Sequence, residues 1–379
     1  MNKGRESIDA ARRLFPATER LAYFNTAAVS LGSTVLRDAY SRFIAEWTER
    51  GLDFASAEQA GENARRAFAG IIGARVEDIA LIPSVSAAAG LFASQFGAAD
   101  RGENIIIGER EYSSNHFPWR MLERKGYAVR QVPFRNGGLE PDDIAEQSDG
   151  GTRLVAFSAV QTASGHRSDI PGISEIARRS GAMTFVDGAQ MAGALAVAPC
   201  LDSIDVFATS NHKFLLNAGR GLGYCYIRDS VQDAIVPTSA GWKAGAVPFE
   251  SFFGPDMRLS RTASRFDNSI GWLAAIGDEA ALSLFGRFGI DAVFARNMEL
   301  AETLRDRLTE IGRPPVGLPD ANMSTILAIP LDDEDPASLL DHLRRAGVVC
   351  AARDGNLRIS VHFYNNTDDI DRLVSALGN

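Results

Sequence analysis

Lys213 lies in Thr209-Ser210-Asn211-His212-Lys213-Phe214, directly after the apolar run 204–208. Asp187 lies in Phe185-Val186-Asp187-Gly188-Ala189-Gln190, at the end of an earlier apolar run. A lysine and an aspartate at the exits of two buried strands suit pyridoxal 5'-phosphate. The amine can form a Schiff base with the cofactor aldehyde, and the carboxylate can keep the pyridine nitrogen protonated so that the ring accepts electrons. Two ordinary loop residues on the surface are the plain alternative. The Lys213–Asp187 spacing leaves room for one crossover connection and one strand.

Other polar residues fall at successive strand exits. The run 79–82 leads into Pro83-Ser84-Val85-Ser86 and then a helical pattern, where backbone N–H groups and hydroxyls can receive a phosphate. The same serines also fit an ordinary helix cap. The run 104–108 leads to Tyr112, an aromatic able to stack on a cofactor ring or simply to pack. The run 154–158 leads to Val160-Gln161-Thr162-Ala163-Ser164-Gly165, and Gln190, Ser210 and His212 follow the next two strands. Ligands of open parallel sheets bind beyond the carboxyl ends of strands, so the joint placement carries more than any single residue. Gly219-Arg220-Gly221-Leu222-Gly223 is not a dinucleotide fingerprint, because a strand follows it where a helix is required. These glycines let the backbone pass close to the lysine and enter an edge strand.

The elements that must position these residues are predicted as strands at 79–82, 104–108, 128–133, 154–158, 183–186, 206–208 and 223–227. Helical patterns occupy 86–96, 115–125, 141–147 and 173–179 between them. Apolar strands alternating with helices indicate an α/β fold, a seven-stranded, mostly parallel sheet with helices on both faces. The last two strands have no helix between them, which predicts an antiparallel pair at one edge. Helices are expected at 34–50, capped by Ser33 or Thr34, at 57–73, and at 272–285 and 290–311. The segment 238–265 reads as a long irregular region, and a smaller C-terminal α/β unit carries strands at 324–329, 348–351 and 357–361 and a helix at 336–346. The expected division is a large unit at 21–260 and a small unit formed by 1–20 with 261–379.

The 379 residues are 45% hydrophobic and carry a formal net charge of -9, enough for two cores and unfavourable for nucleic acid or an anionic membrane as partner. No apolar run is long enough to span a bilayer, and 1–20 lacks the apolar core of a secretory signal. Cys200, Cys225 and Cys350 are widely spaced, which fits a reducing compartment, and the histidines show no metal-binding spacing. A cytoplasmic protein without a resident metal is expected.

The chain resembles the class V aminotransferase and cysteine desulfurase-like family of fold-type I pyridoxal-phosphate enzymes over nearly its whole length. Tyr23-Phe24-Asn25-Thr26-Ala27-Ala28 is similar to the family's N-terminal active-site segment, and 111–119 (EYSSNHFPW) to the stretch carrying the ring-stacking aromatic. The resemblance implies Tyr112 as the stacker, Asp187 on the pyridine nitrogen, Gln190 with Thr162 near the phenolic oxygen, and Ser84, Val85, Ser86, Ser210 and His212 around the phosphate. It implies Lys213 as the cofactor lysine and catalytic base. Arg265-Phe266-Asp267-Asn268-Ser269 is similar to the loop that reaches the neighbouring subunit's phosphate, which implies a homodimer with shared sites, using Asn268 and Ser269. The stretch 357–365 is similar to the motif whose arginine, here Arg358, grips the substrate carboxylate, with Asn25 nearby. The implied substrate is a small amino acid.

The sequence also departs from that pattern. The phosphate turn normally carries Gly and Thr but reads Ser84-Val85-Ser86, and the loop that usually ends in Gly-Thr reads Asn268-Ser269-Ile270. Desulfurases carry a catalytic cysteine on a mobile loop before the carboxylate arginine. Cys350 falls near that place, yet Val348-Val349 and Ala351-Ala352 around it read as a buried strand, where a cysteine is usually an inert small hydrophobe. The expected reaction is C–S lyase or desulfurase-like chemistry at Cα and Cβ. Class V transamination or epimerisation is the alternative, and a cofactor-binding protein without turnover is a third reading.

Overall fold

The computed structural model describes residues 6–256, 258–332 and 334–378. Residues 1–5 of the N-terminal segment assigned to the small unit, Met257 of the irregular region, and Asp333 and Asn379 lie outside the described residues. The strands are β1 (Ala22–Tyr23), β2 (Ile79–Ile82), β3 (Asn104–Gly108), β4 (Ala128–Val132), β5 (Thr152–Ser158), β6 (Met183–Asp187), β7 (Val206–Ser210), β8 (Gly223–Ile227), β9 (Ile326–Pro330), β10 (Val348–Val349), β11 (Ala351–Arg353) and β12 (Asn356–Ser360). The helices are α1 (Thr34–Arg50), α2 (Phe54–Ile72), α3 (Val85–Ser94), α4 (Phe117–Arg120), α5 (Pro141–Gln147), α6 (Ile170–Arg179), α7 (Asp229–Gln232), α8 (Trp272–Phe288), α9 (Ile290–Glu310), α10 (Pro336–Arg345) and α11 (Thr367–Gly378).

The seven predicted strands form one sheet in the order β2-β8-β7-β6-β5-β3-β4. Six run in one direction, and β8 alone is reversed, antiparallel to both its neighbours, β2 and β7. The outermost strand is therefore β2, and β8 lies one place inside it. Side chains alternate between two cores: Ile106 and Val155 join one, with α2, α6 and α8, while Ile105, Ile107 and Leu154 join the other, with α3. Both faces are covered, which explains the unbroken apolar strands. Gly223 enters β8 where a Cβ would stand 2.4 Å from the Thr209 carbonyl oxygen, so the close passage requires glycine.

Helix starts follow side-chain caps. Ser33 caps α1, and its hydroxyl accepts from Leu36 N at 3.1 Å. Asp53 and Asp169 start α2 and α6 three residues earlier than the apolar periodicity predicts. The helix predicted over 115–125 is only the short α4, which begins at Phe117 with Pro118 in its first turn, followed by a 3-10 stretch at Met121–Lys125.

A second sheet, β11-β12-β9, is antiparallel, and β1 pairs in parallel with β10. The strand predicted over 348–351 is two strands with Cys350 between them: β10 turns to β1 and β11 to β12. Ala22 and Phe24 share a core with α9, α11 and β12, whereas α8 packs on α1 and α2 beside the large sheet. The helix α11 has no counterpart among the predicted elements.

Candidate active site

The strands β6 and β7 are parallel neighbours with Asp187 opposite Ala208, so Asp187, Ser210 and the residues after Ser210 emerge at one sheet end. The loop after β7 is clamped from α8. Asn211 Nδ2 and Asn217 Nδ2 both donate to Asp278 Oδ1, at 2.9 and 2.5 Å, and Tyr224 Oη donates to Asp278 Oδ2 at 2.6 Å. Lys213 sits inside this clamped loop, its Nζ 5.4 Å from the centroid of the Tyr112 ring.

A cavity of about 550 Å³ is lined by Lys213, His212, Tyr112, Thr162, Arg220 and Arg358, among others. A recess of about 80 Å³ shares Lys213, His212, Tyr112 and Arg220 with it and adds Ser84, Val85, Asp187 and Ser210. A slightly larger cleft of about 610 Å³ between α1 and α8 contains none of the predicted site residues. The chemistry therefore belongs to the smaller cavity.

Burial lowers the Lys213 ammonium to about 8; Asp187 opposes that shift, while Arg358 and Arg220 add to it. Burial raises the Asp187 carboxyl, against the pull of Lys213 and of the Ala189 N–H, whose bond to Oδ1 is 2.9 Å. His212 is pushed down to about 4 by burial and by the charges of Lys213 and Arg220, so its ring is neutral at pH 7. Arg358 is almost fully buried in β12. Its Nη1 donates to Thr162 Oγ1 at 2.8 Å and to the Thr162 carbonyl at 3.1 Å, and its Nε and Nη2 have no protein partner.

Ser84 caps α3, and its hydroxyl accepts from Ala87 N at 3.2 Å. Ser86, the second residue of α3, is exposed, its hydroxyl 3.0 Å from that of Ser84, and does not line the recess. Gln190 lies behind the wall, where its Nε2 donates to Thr162 Oγ1 at 2.8 Å and to Ala27 O at 3.1 Å. Asn25 also stands outside the cavity lining, bridged to Ser360, whereas Ala27 and Ala28 line it. Asn268 is tied to the backbone of Leu81 and Ser239, and neither Asn268 nor Ser269 lines the Lys213 cavity of this chain.

The orphaned polar atoms test the cofactor. The Ser210 hydroxyl and the Arg358 Nε and Nη2 are buried without partners, which fits two anionic groups, one at each end of the site. Tyr112, Asp187 and Lys213 supply an aromatic face, a buried carboxylate and an amine between them. The residues present fit pyridoxal phosphate and an amino-acid carboxylate.

Sequence reasoning gave no site role to Arg220, which borders both recesses, and read Arg353, which lines the cavity, only as a cation near Cys350. It also passed over Glu111, which accepts from Ser158 N at 2.9 Å and Gln161 Nε2 at 2.8 Å and is raised by burial to about 7. A charged residue between two glycines, and an acid directly before the stacking aromatic, were the available signals. Asp278 was visible as one of two adjacent acids, with Glu279, amid the apolar stretch that opens α8.

Fold and site together define an α/β enzyme built around a lysine in an anion-binding cavity. The family model for aminotransferase class-V matches residues 23–373, and the chain belongs to that family. It is 25% identical to an uncharacterized aminotransferase, YcbU, of Bacillus subtilis, over 97% of this chain and 96% of that protein. It is 28% identical to a cysteine desulfurase of Salmonella gallinarum, over 98% and 97% of the two chains. Among solved structures, it is similar in fold to a cysteine desulfurase from Thermococcus onnurineus, with a TM-score of 0.84, 23% identity and 98% coverage of both chains. It is likewise similar in fold to the cystine C-S lyase C-DES, with a TM-score of 0.83, 21% identity, and coverage of 96% and 99%.

Proposed function

We propose that this protein is a pyridoxal-phosphate-dependent enzyme that acts at Cα and Cβ of an amino acid by C–S lyase, desulfurase-like elimination. The observation that carries the reading is the placement of Lys213 between Asp187 in the recess and the unpartnered Arg358 donors in the adjoining cavity, both of which it lines. When bound, the cofactor supplies an electron sink that stabilises negative charge at the substrate Cα.

The chain's own residues do the rest. Ser84, Ser210 and the neutral His212 would hold the phosphate at the start of α3, with Ser86 extending the hydroxyl pair outward. Asp187 places a buried negative charge for the ring nitrogen, and Tyr112 offers the ring face. The free Nε and Nη2 of Arg358 form a planar fork for the substrate carboxylate, with Nη1 held back by Thr162. That fork fixes which bond at Cα faces Lys213. With its pKa lowered to about 8, the Lys213 amine is basic and partly neutral near pH 7, so it can take the Cα proton.

Cys350 does not supply a desulfurase nucleophile in this reading. It packs beside the small-unit core between β10 and β11, and burial pushes its thiol up to about 12. Elimination that leaves the sulfur on the departing group needs no enzyme thiol.

The proposal includes a homodimer with shared sites. Asn268 and Ser269 stand away from their own Lys213 cavity, and Phe249, Phe252 and Phe253 leave a strongly apolar surface exposed. It also places the protein in the cytoplasm, bound to neither nucleic acid nor membrane; the net charge of -9 and three unpaired cysteines support this. No helix among the described residues is long and apolar enough to cross a membrane. Residues 21–260 would carry the cofactor, and 1–20 with 261–379 would form the smaller unit, except that α8 packs with the larger one.

The test is borohydride reduction of the purified protein followed by peptide mapping, with label expected at Lys213. Product assays for pyruvate, sulfide and pyridoxamine phosphate then separate elimination from transamination. Accumulation of pyridoxamine phosphate without a β-elimination product would overturn the lyase assignment.

A further inference from the structure

The cavity holds more positive charge than the cofactor lysine and one carboxylate clamp require. Arg110, Arg220, Arg353 and Arg358 all line it with Lys213. Of its two lining carboxylates, one cancels the charge of Arg110 and the other is held by neutral donors, which leaves Arg220, Arg353 and Arg358 unopposed. Asp354 pairs with Arg110, and Glu111 is bonded to Ser158 and Gln161. Arg220 borders the recess that holds Ser84 and Ser210, so its charge is shared with the phosphate end. Arg353 has no carboxylate partner among the described residues; one of its N–H groups, on Nη1, is bonded to the carbonyl of Ala352 at 2.7 Å.

The strand register fixes where Arg353 lies. In the β11–β12 hairpin Ala351 is opposite Arg358, and Arg353 is opposite Asn356. Arg353 is two residues from Ala351, so it emerges on the same face as Arg358, as its diagonal neighbour, with a spacing of about 7–8 Å. Arg358 is deep and buried, while Arg353 is exposed at the mouth beside the hairpin turn. The charge of Arg353 also contributes, after burial, to lowering Arg358 to about 10, which places the two cations within electrostatic reach. Two like charges held on one wall without a counter-ion favour a ligand that brings two negative charges.

We propose that Arg353 forms a second acid subsite and that the substrate is an α-amino acid whose side chain carries a further anionic group, a carboxylate in the simplest case. This rests on the reading of the site as an amino-acid enzyme with Arg358 on the α-carboxylate. Arg353 is then a specificity-determining residue that holds the far end of the substrate and leaves Lys213 and Cα to the chemistry.

The holoprotein is titrated with matched acid and amide pairs, L-glutamate against L-glutamine and S-carboxymethyl-L-cysteine against S-carbamoylmethyl-L-cysteine. Kd is read from the change in cofactor absorbance. One charge-assisted contact to Arg353 is expected to favour the acid of each pair by about 10–100-fold. Arg353→Gln is expected to bring the acid-to-amide ratio near one, and Arg353→Lys to keep part of it. Equal affinities for acid and amide, or an Arg353→Gln ratio unchanged from the parent protein, overturn the subsite. Borohydride mapping is run on the same preparation. An unlabelled Lys213 overturns the parent reading and the subsite with it, whereas a labelled Lys213 without acid preference overturns the subsite alone.

Discussion

Thr162 anchors Arg358: the threonine hydroxyl accepts from Arg358 Nη1 at 2.8 Å, and the same oxygen accepts from Gln190 Nε2 at 2.8 Å. A residue after β5 thus fixes the orientation of a guanidinium on β12 in the second sheet. Thr162→Val is expected to loosen the fork and raise KM for the amino acid by about 10-fold or more, the cost of losing a hydrogen bond to a charged group. Turnover at saturation should change less. A fall in kcat with KM untouched would show that Thr162 acts on the chemical step.

Cofactor capture reads the state of Lys213 directly. Only the neutral amine attacks an aldehyde, and burial holds the Lys213 ammonium at about 8 instead of the ordinary 10.5. The rate at which cofactor-stripped protein takes up pyridoxal phosphate should therefore rise about tenfold per pH unit below that value and level off above it. Stopped-flow absorbance across the pH range measures the limb. A limb that continues to pH 10 would mean that Lys213 is not desolvated as described.

The buried Asp278 that clamps Asn211 and Asn217 gives a signed stability prediction. Burial raises its carboxyl to about 7 from an ordinary 3.8, so between those values the folded protein binds a proton that the unfolded chain does not. Stability from this group is present at low pH and is lost as pH rises through about 7. Asp278→Asn removes that dependence while leaving an acceptor oxygen for the asparagines. The difference in melting temperature between pH 5 and pH 8 should shrink in the variant. A difference as large as in the parent protein would place the titration elsewhere.

Strand placement and the Lys213–Asp187 pair were legible because buried parallel strands are continuous apolar runs whose exits are marked by polar residues. What escaped depends on register or on contact between distant segments. Arg353 joins Arg358 only through the pairing of Ala351 with Arg358, and Asp278 meets Asn211 only because α8 packs beside β7 and β8. Nothing local separates Arg353 from any other exposed arginine. The break at Cys350 was hidden because one apolar run feeds two partners, β1 and β12. By contrast, α11 was readable: Ile370, Leu373, Val374 and Leu377 repeat at helical spacing after Asp368 and Asp369.

Arg65 and Asp267 form a buried pair, Nη2 to Oδ2 at 2.5 Å, directly before Asn268 and Ser269. Asp267 Oδ1 also accepts from Leu81 N at 2.8 Å, tying this loop to β2. Asp267→Ala leaves Arg65 with Glu62 as its remaining carboxylate, Nη2 to Oε1 at 2.9 Å, and leaves Leu81 N without its acceptor, so the cost is expected near the low end for breaking a buried pair, about 3 kcal/mol. The exposed Arg344–Asp341 pair is the internal control, where Arg344→Ala should cost less than about 1 kcal/mol. Urea unfolding of the two variants measures the contrast. Equal costs would show that the loop yields and lets water reach Arg65.

Cys350 separates elimination from a thiol relay. Its side chain packs against the small-unit core rather than at the cavity, and none of the cavity-lining residues is a cysteine. A relay through Cys350 would need its thiolate exposed beside Arg358, yet burial keeps the thiol protonated far above neutral pH. Cys350→Ala is therefore expected to retain activity on an amino acid bearing a β-sulfur leaving group, within about twofold. Any loss should track stability, at the cost of roughly 1 kcal/mol for removing a small buried group. Loss of sulfide release in a variant that melts like the parent protein would restore the nucleophilic role. It would also require the short link between β10 and β11 to open during turnover, which hydrogen exchange at Ala351 and Ala352 in the presence of substrate would register.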